Sequence, residues 1–328
     1  MTRFVAGRLL ESLVVLLVMS FVIYGLIGLM PGDPIDEMIA ANPKLTSDDI
    51  QRLKALYGLD KPLLERYGNW LVAALQGDFG FSRIHARPAT EVLMPRLVNT
   101  LILMGAATAL ALAIALPLGI MAAWKPNSAF DYGVNLFCFA GISVPPFWLA
   151  LLAIILFSVK LGWLPAGGMA TVGEGIEGAG GFMDRLTHMI LPVGTLALLT
   201  AGGFIRFIRA SMIQVLRQDF IRTAKAKGVG PARLLFGHAL RNAVLPFITV
   251  LALSFGSLFS GALITETMFS WLGVGKMIFD SVLGNDFNLA LVGLLFATLM
   301  TLIGNIIADV AYAWVDPRIT DAPERARA

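Results

Sequence analysis

The sequence has few charged residues and few of the residue types that build catalytic and metal sites. Of its 328 residues only 14% are charged, whereas soluble domains have about 25%. The single cysteine, Cys138, excludes an internal disulfide and a cysteine-rich metal site. The three histidines lie in separate segments, which argues against a histidine metal site; they are His85, His188 and His238.

Motifs for a catalytic activity are also missing. The phosphate-binding pattern G-x-x-x-x-G-K-[ST] does not occur, because GVGK (273–276) has neither the upstream glycine nor a hydroxyl residue after the lysine. No Ser-His-Asp arrangement and no pair of carboxylates indicates hydrolysis. We therefore predict that the chain is not an enzyme and binds no cofactor of its own.

Long apolar runs are abundant instead. Hydrophobic residues make up 57% of the chain, and its mean hydropathy is +0.77. A helix needs roughly 20 apolar residues to cross a bilayer core. We predict an all-α polytopic membrane protein with six transmembrane helices, at residues 13–30, 97–123, 133–159, 189–205, 246–269 and 289–315. The first is expected to be a retained span rather than a signal peptide, because no small-residue cleavage site follows it.

The basic residues predict the orientation of these spans, because cytoplasmic loops are enriched in Lys and Arg. Placing the loop 206–245 inside puts both termini in the cytoplasm. Its basic residues are Arg206, Arg209, Arg217, Arg222, Lys225, Lys227, Arg233 and Arg241. Topology alone requires such a bias, so the charge by itself indicates no function.

The same loop is predicted to be ordered. Residues 219–227 contain no helix breaker, and Gly228 is placed to end that helix in the left-handed conformation. Pro231 is suited to start a second helix. The apolar face predicted for that helix consists of Ala232, Leu235, Phe236, Ala239, Leu240 and Ala243.

At these residues the chain resembles a known family. RTAKAKGVGPARLLFGHALRNAVLP (222–246) is similar to the cytoplasmic coupling loop of permeases in binding-protein-dependent ABC importers. The similarity is to the B-type permease of the dipeptide, oligopeptide and nickel branch. It covers nearly the whole chain, including MPGDP (30–34), SVPPFWLALLAIILFSVKLGWLPAGG (143–168) and TETMFSWLGVGKMIFDSV (265–282). One departure from the general permease pattern is that Arg222-Thr223-Ala224 replaces the usual Glu-Ala-Ala.

The resemblance implies a type I ABC importer transmembrane fold in a bacterial cytoplasmic (inner) membrane. It implies ATP-driven import of di- or oligopeptides, with nickel, sugars and antimicrobial peptides as open alternatives. The implied partners are a second related permease, two cytoplasmic ATPase subunits that hold ATP and Mg, and an extracytoplasmic substrate-binding protein. No nucleic acid partner is expected. The rival classes are an ATP-independent channel or secondary transporter, and a scaffold without transport activity.

The resemblance also implies a division of the chain. Residues 1–93 form an N-terminal span plus an extracytoplasmic amphipathic segment, 94–315 the permease core with a coupling loop at about 209–245, and 316–328 a cytoplasmic tail. The implied ATPase-coupling residues are Arg222, Thr223, Ala224, Lys225, Lys227 and Gly228.

Two predicted spans have polar stripes at helical spacing. Such stripes line a translocation path or form a seam between helices. The stripe of the fifth span favours a seam. The stripe of the sixth span contains Asp309, and an acidic residue near the end of a span needs water or a partner. For that stripe we therefore favour a role in the translocation path. The candidate path residues are Ser254, Ser257, Thr265, Thr298, Thr301, Asn305 and Asp309. Glu266, at the outer mouth, is expected to be solvated.

The outer loop between the first two spans is predicted to contain amphipathic helices. Thr46 and Asp49 have the spacing of a capping box. A second stretch, residues 62–75, has an apolar side that suits the membrane surface or contact with a binding protein. Pro145-Pro146 is expected to kink or break the third span.

Overall fold

The computed structural model describes residues 2–29, 46, 49, 51–52, 61–171, 173 and 178–315, and most of them are helical. One short hairpin, β1 (Phe81–Ser82) with β2 (Arg87–Pro88), precedes the third helix. The helices are α1 (Thr2–Ile27), α2 (Leu63–Leu75), α3 (Ala89–Trp124), α4 (Ala129–Ser143), α5 (Pro146–Ala153), α6 (Gly178–Leu216), α7 (Asp219–Ala226), α8 (Leu240–Met268), α9 (Val274–Leu283) and α10 (Phe287–Val315). Two π-helical segments, Ile154–Lys160 and Arg233–Ala239, extend α5 and precede α8.

The structure confirms a helical protein with several membrane spans. In the described part of the chain, α1, α3, α6 and α10 are long and apolar enough to cross a bilayer, and α4 with α5 forms a bent apolar pair that counts as a fifth if the two cross as one broken span. The break lies at Pro145-Pro146, as predicted, and bends the pair by 103°. Helix α8 covers the predicted fifth span, but several of its side chains lie outside the described residues. Six spans therefore stay a prediction.

The first and last helices pack antiparallel. Ile23 and Ile27 near the end of α1 contact Leu291 near the start of α10, whereas Arg8 Nε lies 3.1 Å from Asp309 Oδ2 at the opposite ends of both helices. The start of α1 and the end of α10 consequently lie on the same side of the molecule.

The hydrophobic core defines two ends of the bundle. At the α7 end, one buried cluster joins the last turns of α3 and α6 with α4, α7 and the start of α8. At the hairpin end, α9 packs between the first turns of α3 and α10. Buried Asp286, just before α10, accepts hydrogen bonds from Ser82 Oγ at 2.6 Å and the Ile84 N–H at 3.0 Å. These bonds attach the hairpin to the α9–α10 turn.

The outer loop forms local structure where it is described. Thr46 and Asp49 make the predicted capping box: the Thr46 N–H donates to Asp49 Oδ2 at 3.1 Å, and the Asp49 N–H donates back to Thr46 Oγ1 at 3.3 Å. The bonds from Thr46 lower the pKa of Asp49. Helix α2 packs against α1 through Tyr67 and Trp70, whose rings lie 5.7 Å from that of Tyr24. The apolar positions Ile50, Leu53 and Tyr57 lie outside the described residues.

Candidate coupling surface and translocation path

Helix α7 has one buried and one exposed face. Ile221 and Ala224, three positions apart, are buried in the cluster at the α7 end. The polar residues that the family resemblance singles out all lie on the exposed side. They are Arg222, Thr223, Lys225 and Lys227. The buried face fixes the helix to the bundle, and the exposed face is available to another protein.

Gly228 ends α7 in the left-handed conformation, as predicted. Its φ is +78°. The Gly228 N–H donates to the Lys225 carbonyl at 3.0 Å, and the Val229 N–H donates to the Ala224 carbonyl at 3.2 Å. These two bonds form a Schellman motif, which satisfies carbonyls that the end of a helix leaves free. The corner after α7 therefore has a defined geometry.

Helix α7 is also held by its charged side. The Lys225 ammonium lies 5.9 Å from the centre of the Trp124 ring, at the end of α3, which is within range of a cation–π attraction. Ser211 Oγ donates to the Ala243 carbonyl at 2.8 Å and so joins α6 to the start of α8. Helix α7 thus contacts α3 directly, and it shares one buried cluster with α6 and the start of α8.

The apolar face predicted for the second loop helix is right in part: Ala239 and Ala243 are buried, and Leu235 and Leu240 are half-buried against the same cluster. Ala232 is exposed and Phe236 is 60% exposed, whereas Leu234, which the prediction left out, is buried. The segment Arg233–Ala239 is π-helical, so its hydrogen bonds join residues five apart instead of four. Each turn then contains more residues than the 3.6 assumed in the prediction, which moves the buried face. Phe236 adds an exposed aromatic ring beside the corner.

The cytoplasmic loop is more helical than predicted, because α6 continues without a break to Leu216. Arg206 and Arg209 therefore lie on a helix instead of in a loop. Arg209 forms a two-point ion pair with Asp131, with Nε–Oδ1 at 2.5 Å and Nη2–Oδ2 at 2.6 Å. Asp131 is 1% exposed, and a buried charge of this kind requires such a partner. Sequence analysis missed this pair because its members are 78 positions apart.

The candidate path residues on α8 and α10 have mixed environments. Ser254, Thr298 and Thr301 are half-buried, and each hydroxyl donates to the carbonyl four residues earlier in its own helix. Thr265 is fully buried and Asn305 is exposed. The side chain of Ser257 lies outside the described residues. The two helices approach each other where Ala262 of α8 and Met300 of α10 pack with Met104. Whether these residues line a path stays a prediction.

The two acidic residues of these helices both have partners. Asp309 forms the ion pair with Arg8, so the partner that its position required is on α1. The expectation that Glu266 is solvated is wrong, because its side chain is fully buried. Thr100 Oγ1 donates to Glu266 Oε1 at 2.6 Å, and the Lys276 N–H donates to Oε2 at 3.1 Å. Thr100 lies 166 positions away, so no local pattern could indicate this contact.

Comparison with known families matches nearly the whole chain. The binding-protein-dependent transport system inner membrane component family matches residues 115–321. The N-terminal part of such membrane components matches residues 1–103. The oligopeptide transport system permease protein AppB of Bacillus subtilis is 39% identical over 320 residues, covering 97% of this chain and 99% of that protein. The dipeptide transport system permease protein DppB of Escherichia coli is 34% identical over 337 residues, with the same coverage.

Solved structures share the fold at lower sequence identity. A crystal structure of an amino acid ABC transporter with histidines aligns with a TM-score of 0.51 and 17% identity, over 68% of this chain and 94% of that one. An inward-facing MetNI methionine ABC transporter aligns with a TM-score of 0.50 and 15% identity, over 67% and 96%. The transmembrane fold of these importers is therefore the fold of this protein. The chain is a multi-pass membrane protein that belongs to the family of binding-protein-dependent transport system inner membrane components.

Proposed function

We propose that this chain is the permease subunit of an ATP-driven importer and forms half of the translocation path for di- or oligopeptides. The names of its full-length relatives support peptides as the substrate class. The observation that carries the proposal is the shape of the α7 end. A short helix with an exposed basic face ends in a fixed corner at Gly228, and its other face is packed into the bundle.

The proposed complex contains a second, related permease, two cytoplasmic ATPase subunits and an extracytoplasmic binding protein. The chain itself catalyses no reaction and binds no cofactor; ATP and Mg belong to the ATPase subunits. Docking of an ATPase on α7 uses the exposed side chains of Arg222, Lys225 and Lys227, together with Phe236 and the corner at Gly228.

Coupling requires that closure of the ATPase dimer moves several helices of the bundle. The buried face of α7 belongs to the same cluster as the ends of α3 and α6 and the start of α8. Close-packed interiors transmit displacement instead of absorbing it. Nucleotide binding then favours one of two packings of the bundle and opens the path to one side at a time.

Replacing Gly228 by Val tests the coupling corner. A Cβ at Gly228 would meet nothing within 4 Å, so the substitution acts only through the left-handed backbone, which costs roughly 1–2 kcal/mol for an ordinary residue and more for a β-branched one. We expect the Gly228→Val complex to reach the membrane but to lose at least about tenfold of its peptide-stimulated ATP hydrolysis and ATP-dependent peptide uptake.

Gly230→Val is the matched control. A Cβ at Gly230 also has open space, and the φ of this residue is not positive. A residue before proline prefers extended backbone, which suits Val. Normal coupling in Gly228→Val would overturn the role of the corner. Peptide uptake by the purified chain without ATP would overturn the importer in favour of a channel or secondary transporter.

A further inference from the structure

The turn between α8 and α9 folds back into the bundle at the hairpin end. We call residues 269–276 the plug. Phe269 and Trp271 are each 1% exposed. Phe269 packs against Ala150 of α5 and Leu191 of α6, and Trp271 packs in a cluster that includes Leu103 of α3. The plug thus fills the space between α3, α5 and α6.

The carboxylate of Glu266 joins the plug to α3. It accepts hydrogen bonds from Thr100 Oγ1 at 2.6 Å and from the Lys276 N–H at 3.1 Å. Thr100 Oγ1 in turn accepts the Val274 N–H at 2.8 Å. Asn99, the neighbour of Thr100, donates from Nδ2 to the Leu272 carbonyl at 2.8 Å. One face of α3 therefore holds the plug through a chain of polar contacts centred on Glu266.

Three glycines permit this close approach. A Cβ at Gly273 would overlap the Glu266 carboxylate, and one at Gly275 would overlap the Leu263 backbone. A Cβ at Gly167 would lie 2.5 Å from the Phe269 carbonyl oxygen, which accepts the Gly168 N–H at 2.8 Å. The plug is consequently fixed by close contacts with α8 and with residues 167–168, in addition to its bonds with α3.

One polar atom beside Glu266 has no partner in this arrangement. Arg96 lies one turn before Thr100 on α3 and attracts the Glu266 carboxylate electrostatically. Its Nη1 atom is buried and has no hydrogen-bond partner among the described residues. A buried donor without an acceptor costs about 1–3 kcal/mol, so a conformation that supplies an acceptor recovers that free energy. Two carboxylates attract Arg96, first Asp280 of α9 and then Glu266 of α8. Asp280 is paired with Lys276 at 2.9 Å, which leaves Glu266 as the acceptor for Arg96.

We propose that Glu266 is the positioning residue of an extracytoplasmic gate and exchanges partners between two conformations. In the closed gate its carboxylate holds the plug through Thr100 and the Lys276 N–H. In the open gate the carboxylate leaves the plug and binds Arg96. The inference rests on the transport function proposed above, because it supplies the reason for the path to open at this end.

If Glu266 exchanges partners in this way, replacing Thr100 and replacing Arg96 should shift the gate in opposite directions. Thr100→Val removes the hydroxyl that both donates to Glu266 and accepts from Val274, so it weakens only the closed gate. Arg96→Gln removes the ion pair of the open gate and leaves the bonds of the plug in place. A residue with only a structural role in the plug would not give opposite effects.

Labelling of a cysteine in the plug measures the position of the gate. Val274 is 2% exposed, so we would introduce Val274→Cys together with Cys138→Ser and treat the assembled complex with a membrane-impermeant maleimide. We expect slow labelling at rest and faster labelling when nucleotide and binding protein are added. Thr100→Val should raise the resting rate at least about tenfold, because it removes two buried hydrogen bonds. Arg96→Gln should keep the rate slow under both conditions.

Two controls separate the gate from general damage. Thr100→Ser keeps the hydroxyl and should restore slow resting labelling. Thr267→Val removes a hydroxyl that, among the described residues, bonds its own helix at the Leu263 carbonyl, and it should change nothing. Resting labelling of Thr100→Val at the parent rate, or nucleotide-stimulated labelling of Arg96→Gln at the parent rate, would refute the exchange. Peptide uptake measured on the same complexes tests the proposed function separately, because labelling requires no peptide.

Discussion

Asp131 is the residue whose replacement we expect to destabilise the α7 end most. The Asp131→Asn change leaves Arg209 without its ionic partner, and breaking a buried ion pair costs roughly 3–5 kcal/mol. Because the Arg209 side chain is 23% exposed, we expect the lower end, about 3 kcal/mol. The midpoint temperature of thermal unfolding of the purified complex should therefore fall by several degrees.

An exposed pair of the same residue types provides the comparison for Asp131. Asp219 and Arg222 on α7 lie 3.3 Å apart with side chains 94% and 76% exposed. Exposed pairs contribute little free energy, because water screens them. Asp219→Asn should leave the unfolding midpoint unchanged. Equal midpoints for Asp131→Asn and the parent would mean that the buried pair is no stronger than the exposed one.

At the scale of elements, the hairpin before α3 depends on the α9–α10 turn. Asp286 accepts hydrogen bonds from Ser82 and from the Ile84 N–H, and it also accepts the N–H of Leu289 at 3.3 Å. Both hairpin bonds end on the same oxygen, Oδ2, which an asparagine would retain. Asp286→Ala removes both oxygens and should therefore release the hairpin. We expect the amides of residues 81–88 to exchange hydrogen about tenfold faster, measured by mass spectrometry.

Asp280→Asn is the control for the hairpin. Asp280 belongs to α9, and its side chain is 49% exposed and pairs with Lys276 at 2.9 Å. Loss of this exposed pair should leave exchange in the hairpin unchanged. Unaltered exchange in Asp286→Ala would show that the strands hold their place without the carboxylate.

Sequence predicted the elements whose signals are local. The corner at Gly228, the break at Pro145-Pro146 and the capping box at Thr46 each depend on residues within a few positions of one another. Contacts between distant elements could not be predicted, because Glu266 and Thr100 lie 166 positions apart and neither has a pattern that points to the other. The buried face before α8 was predicted only in part, because hydrophobic spacing assumes an α-helical turn.

At the scale of the whole molecule, the described part of the chain exposes apolar side chains along its first span. Leu10, Leu13 and Leu26 of α1 are each more than 60% exposed, which suits contact with lipid. Asn305 of α10 is exposed within a span and would be costly against hydrocarbon. Its amide needs water or another protein chain, which agrees with the second permease in the proposed complex.

Purification from the native membrane tests that assembly. The chain, mildly solubilised, should bring with it a second multi-span permease and an ATPase, identified by mass spectrometry. Reversing two exposed charges of the coupling surface, Arg222→Glu with Lys227→Glu, should remove most of the ATPase and leave the second permease bound, since only the ATPase is expected to contact α7. Lys160→Glu, an exposed change far from α7 in sequence, should keep both partners. Recovery of the chain alone would instead favour a channel, in which α7 has no protein to dock.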